Sequence, residues 1–141
     1  MALKVGKADM WSASVDDRAG GAADKIEPLA KAGANFEFVF ARRTPEQPGR
    51  GLVFVAPVKG AKVVKAAQAA GFEKAPGIQG LRLEGSDKAG TSAQIMRALG
   101  NAGISFRAVS GMAIGRKFVC YVALDNEADS ARATGLLKKL G

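Results

Sequence analysis

The sequence predicts an α+β chain of two tandem βαββα(β) units, each an antiparallel sheet with its helices on one face. Three observations predict it. Residues 17–39 recur at residues 87–109, with nine of twenty-three ungapped positions identical. In both halves the apolar spacing switches between the two-residue period of a strand and the helical period, in the order β-α-β-β-α. Leu52–Ala56 and Phe118–Leu124 are apolar on both faces. Helices cover only one of those faces, so the other calls for a sister unit or a second chain.

The elements follow in order. Over residues 8–16, Trp11, Ala13 and Val15 alternate with Ser12, Ser14 and Asp16, the pattern of a strand with one buried face. Asp17 to Gly21 reads as a turn. Ile26, Leu29 and Ala30 then carry a helix over 22–32 that stops at Gly33. Pro28 lies inside it and predicts a kink or a shortened helix. A strand is expected over 35–41, with Phe36, Phe38 and Phe40 on one side, then a polar loop from Arg42 to Arg50. Strand 52–56 is followed by a helix marked by Val63, Ala66, Ala67 and Ala70, and by a short strand within 72–75.

Pro76 to Gly80 reads as a linker, dividing the chain into units at 1–75 and 81–141. The second unit repeats the order. Leu81 and Leu83 mark a strand; Ile95, Met96, Leu99 and Ala102 stripe a helix ended by Gly103. Strands at about 104–113 and 117–124 and a final helix carrying Ala133, Leu136, Leu137 and Leu140 complete it. This unit has no fourth strand of its own, so a strand from the first unit or the N-terminal residues is expected at that edge. Each unit has the ferredoxin-like split βαβ pattern.

Composition narrows the chemistry. The chain has 141 residues, one cysteine, no histidine and a formal net charge of +8. Histidine-based triads and histidine metal sites are excluded. Cys120 lies in an apolar run and reads as a buried structural thiol. A single cysteine and the lack of an apolar leader or span predict a cytoplasmic protein. Lys59, Lys62 and Lys65 read as a solvated helix face. The acidic residues sit by turns and helix starts, as caps and solvated charge, so no acid/base pair, cofactor or metal is expected and the chain reads as no enzyme.

The turn between first strand and first helix is the candidate site in each unit. A glycine lets backbone approach a ligand without a clashing Cβ. The helix start behind it offers N–H groups that lack an intrahelical partner and suit a carboxylate or phosphate. Arg18 and Lys88 add positive charge. The residues alone leave a second reading open, in which Asp17 and Asp87 fix the turn and cap the helix at ~1 kcal/mol each.

Asp17-Arg18-Ala19-Gly20 and Asp87-Lys88-Ala89-Gly90, a helix after each, then Gly33-Ala34-Asn35-Phe36 and Gly103-Ile104-Ser105-Phe106, together resemble the ACT domain, in two tandem copies covering nearly the whole chain. The family usually has a proline where Ala19 and Ala89 stand. The resemblance implies βαββαβ units that pair side by side and hold a small amino acid at the seam between them. The implied ligand-binding positions are Asp17, Arg18, Ala19, Gly20 and Gly21 with Asn35, and Asp87, Lys88, Ala89, Gly90 and Thr91 with Ser105. It further implies a non-catalytic regulatory protein, a homodimer, and a separate enzyme as the regulated partner. Ser105 in place of asparagine makes the two sites unequal. Two other readings compete: an RNA-binding protein of the same topology, against which Phe54, Phe118 and Tyr121 read as core residues, and an assembly protein without a ligand.

Overall fold

A computed structural model describes residues 3–140 as two units, each with a four-stranded antiparallel sheet and two helices. Twelve elements follow one another: β1 (Lys4–Lys7), β2 (Trp11–Asp16), α1 (Gly21–Lys31), β3 (Phe38–Arg43), β4 (Arg50–Ala56), α2 (Ala61–Ala69), β5 (Glu73–Lys74), β6 (Gln79–Ser86), α3 (Thr91–Asn101), β7 (Phe106–Ile114), β8 (Lys117–Leu124) and α4 (Glu127–Leu137).

The N-terminal unit, residues 9–76, orders its sheet β3-β4-β2-β5. Trp11, Ala13 and Val15 face Val55, Val53 and Gly51 across the β2–β4 ladder. Trp11, Ala13, Val15, Val53 and Val55 form the core with Leu29 of α1, Ala67 of α2 and Phe72. The alternation of β2 is the imprint of a sheet with one face under helices, although Ser12 on its other face is buried as well.

The C-terminal unit, residues 77–140 with residues 3–8, orders its sheet β1-β6-β8-β7. Its core gathers Leu81, Leu83, Ile95, Leu99, Val122, Leu124 and Leu137, all at most 1% exposed. The division at residues 75 and 81 needs correction at the chain start. Lys4–Lys7 pair with Glu84–Leu81 as the edge strand of this unit, and Leu3 enters its core. The physical reason is an open edge: after β6 this unit has only β7 and β8, and the chain start supplies the missing fourth strand. The linker is also shorter than expected, since Gln79 and Gly80 already lie in β6.

The repeat persists in three dimensions. α1 and α3 each span 11 residues, and Leu29 and Leu99 are both fully buried. Behind each helix the N–H of Ala34 or Ile104 donates to the carbonyl of Leu29 or Leu99, closing the helix end around the positive-φ Gly33 or Gly103. Pro28 does not shorten α1. β3 begins at Phe38, three residues later than its pattern implied, because Asn35 lies in the connection behind the helix end. Phe36 packs on the core, whereas Phe40 is exposed and stacks obliquely on Phe54 at 6.3 Å between ring centres. Phe118 and Tyr121 are buried, as read from the sequence, whereas Phe54, also read as core, is only half-buried; Lys59, Lys62 and Lys65 are exposed. Among the described residues no helix is long and apolar enough to cross a membrane.

Candidate functional site

The β-to-α turn has the same backbone in both units. Gly20 and Gly90 precede their helices with φ of 85° and 89° and ψ of −9° and −5°. This is the left-handed region, which costs an L side chain ~1–2 kcal/mol. Neither helix start is capped by a side chain. Asp24 and Gln94 donate back to Gly20 and Gly90, and Gly21 and Thr91 donate to Arg18 and Lys88. The intervening N–H groups, of Ala22 and Ala23 or of Ser92 and Ala93, have no acceptor among the described residues. Each turn is tied to its sheet by one more bond: Asp17 donates to Gly49 and Asp87 to Arg116, both at 2.9 Å.

Beside each turn runs a groove, floored by the sheet and walled by the helix start and the outer strand. The helices leave the outer strands β3 and β7 largely uncovered, and both are edges of their sheets. In the C-terminal unit the groove has a volume of about 290 Å³ and reaches from Asp87 and Ser92 past Met96 to Met112 and Phe118. In the N-terminal unit it is about 190 Å³, between Asp16, Asp17 and Arg18 on one side and Ala41 to Arg43 on the other. Its recurrence is built into the fold, because the same turn, helix and edge strand meet there in each repeat.

The two grooves differ in chemistry. In the N-terminal unit, Arg43 donates to Asp17 at 2.8 Å and Arg18 to Asp24 at 2.6 Å. Arg50 donates to Asp16 and also reaches Ser14 Oγ at 2.8 Å. Arg18 folds over its own turn, with Nη1 donating to the Ala19 carbonyl at 3.2 Å. These pairs are exposed and individually worth little, yet they occupy the acidic groups of that groove. In the C-terminal unit, no hydrogen bond or ion pair reaches the Asp87 carboxylate or the Ser92 hydroxyl among the described residues. Nothing lies within 4 Å of the place a Gly90 Cβ would take. Cys120 forms part of the floor; burial pushes its thiol up to about 11, so it stays protonated at neutral pH.

The structure thus brings Asp17 and Arg18, or Asp87, to a groove, and places Ala19, Gly20 and Gly21, or Lys88, Ala89, Gly90 and Thr91, in the adjoining turn. It does not bring Asn35 or Ser105 there within a unit. Those residues precede the start of β3 or β7, whereas the turn lies by the strand's end, where Arg43 pairs with Gly51 and Ile114 with Lys117. Sequence reasoning missed the outer-strand walls, Arg42, Arg43 and Met112.

Gly21 separates the two turns sterically. A Cβ there would collide with the carbonyl oxygen of Asp16, a backbone atom. Thr91 holds the matching position in the other unit, its hydroxyl donating to the Lys88 carbonyl at 2.9 Å. Gly21→Thr is therefore expected to destabilise by about 1–3 kcal/mol, the usual range for overpacking. Thr91→Gly should cost about 1 kcal/mol or less, through the lost hydroxyl bond and helix propensity. Urea denaturation of both variants checks the contrast; equal effects would refute it.

No protein-family model matches the chain, and no curated protein matches its sequence. Solved structures do match. The chain superposes on protein BT0572 from Bacteroides thetaiotaomicron with a TM-score of 0.76, at 14% identity, over 96% of its own length and 99% of the other. It is similar to the regulatory subunit of aspartate kinase from Thermus thermophilus at 16% identity, with a TM-score of 0.63 and 97% of each chain covered. The regulatory subunit of aspartate kinase from Thermus flavus gives 18% identity and a TM-score of 0.59, over 95% of this chain and 92% of that one. At these identities the likeness is one of fold: two units, each a four-stranded antiparallel sheet with two helices.

Proposed function

We propose that the chain is a non-catalytic regulatory module that binds a small α-amino acid in the groove between a helix start and an outer strand. The observation that carries this reading is the groove itself, recurring beside an uncapped helix start in both units. A carboxylate finds free N–H groups and the positive end of a helix there. An ammonium finds an aspartate on the rim. The fold shared with regulatory subunits of aspartate kinase supports the regulatory role.

The chain acts as a homodimer in this reading, with a separate enzyme as its regulated partner. Support for pairing comes from the outer strands, whose open edges carry exposed apolar side chains: Val39 and Phe40 on β3, Met112 and Ile114 on β7. Strand-entry residues Asn35 and Ser105 join a turn only when it comes from another copy of the unit. Ligand preference for one arrangement of the copies then changes affinity for the partner.

Thermal denaturation in the presence of each common amino acid tests the reading. At 100 times its dissociation constant, a ligand raises stability by about 2.7 kcal/mol. At least one amino acid should raise the midpoint at millimolar concentration. A panel without any shift would reject the proposal.

A further inference from the structure

The two grooves share a backbone and differ in almost everything else, and the difference predicts which of them binds and what it binds. We infer that the groove of the C-terminal unit alone is the ligand site, and that it takes an α-amino acid with a neutral, apolar side chain. The inference rests on the amino-acid reading above and deepens it.

The N-terminal groove is smaller, about 190 Å³, and its carboxylates are paired with its own arginines. Asp17 is bonded to Arg43, Asp16 to Arg50, and Arg18 lies over the turn toward Asp24. A ligand ammonium would have to displace an arginine to reach either carboxylate. Arg42 and Arg43 take up much of the opposite wall, and the apolar lining is limited to Val15, Ala22, Ala41 and Leu52. The turn itself sits against the strand end, since Gly21 leaves no room for a Cβ beside the Asp16 carbonyl.

The C-terminal groove has the opposite character. Its acidic group, Asp87, is unpaired among the described residues, and so is the Ser92 hydroxyl. The N–H groups of Ser92 and Ala93 point out of an uncapped helix start. One end of the groove therefore offers an acceptor for an ammonium and donors for a carboxylate. The rest is Ile95, Met96, Val109, Met112 and Phe118, without a charged group. A ligand with a charged side chain would lose water there and gain no partner. Two methionines make an adaptable wall for an aliphatic or thioether chain. The groove, about 290 Å³ and open to solvent on one side, has room for an amino acid of ordinary size.

Calorimetric titration of the full chain with L-leucine, L-methionine and L-valine, against L-aspartate, L-lysine and L-serine, tests the inference. One of the apolar three is expected to bind saturably at one site per chain, with the charged pair at least tenfold weaker. Asp87→Asn should weaken binding at least tenfold, and Met112→Glu as much, with melting curves of the unliganded variants confirming that both fold. Amide NMR should show ligand shifts at residues 87–96 and 109–118 and none at 16–24. Shifts at 16–24, two sites per chain, unchanged affinity in Asp87→Asn, or preference for a charged amino acid would each overturn the inference and leave the amino-acid reading standing. Binding of no amino acid would overturn both.

Discussion

Deletion of residues 1–8 is expected to destabilise the C-terminal unit by about 3–6 kcal/mol, although the segment is remote from it in sequence. β1 contributes four register pairs to β6, from Lys4 opposite Glu84 to Lys7 opposite Leu81. Leu3 is 8% exposed within that core, and Val5 packs against it. Burying such an aliphatic side chain contributes about 1.5–3 kcal/mol, and each ladder hydrogen bond about 0.5–1.5 kcal/mol net. The remaining sheet would end in β6, whose backbone groups would face water and invite pairing with other chains. Hydrogen exchange gives the decisive measurement. Amides of residues 81–84 should lose protection, and the truncated chain should associate more readily. Unchanged protection there would show that the chain start adds nothing to the sheet.

Leu99→Ala should cost about 2–5 kcal/mol, the range for removing a buried leucine and leaving a cavity. Leu99 is fully buried in α3, in one core with Leu81, Leu83, Ile104 and Leu124. A unit this small buries little surface and has few kilocalories to lose. Met96, one turn earlier on the same helix, is 43% exposed and belongs to the groove wall. Met96→Ala should change stability by less than about 1 kcal/mol while weakening an apolar ligand. Urea denaturation with ligand titration of the two variants separates core from site. A Leu99→Ala chain as stable as the parent would mean that the helix packs elsewhere.

Most of the fold was legible because burial leaves periodic marks. The alternation of Trp11, Ala13 and Val15 gave β2; Leu29 and Leu99 fixed the buried faces of α1 and α3; Gly20 and Gly90 marked the turns. Pro28 was overrated, since α1 keeps its length despite the lost hydrogen bond; packing of Leu29 and Ile26 on the core outweighs one missing bond. Phe54 read as core and is only half-buried, against the exposed Phe40. A strand pattern shows that two faces exist but not which face the helices cover.

The candidate site was half legible. Asp17, Arg18 and Asp87 stand where the repeat put them, at the rim of a groove. Their pairing was not readable, because Arg43 and Arg50 reach Asp17 and Asp16 across 26 and 34 residues. By itself the sequence determined the two repeats, their element order and their glycine turns, since those depend on neighbours a few positions apart. Only the tertiary structure decided that residues 4–7, and not a strand of the first unit, complete the second sheet, and that the acidic groups of one groove are paired with its own arginines while Asp87 in the other is not. Both are matters of which distant groups meet, and one-dimensional periodicity carries no record of that.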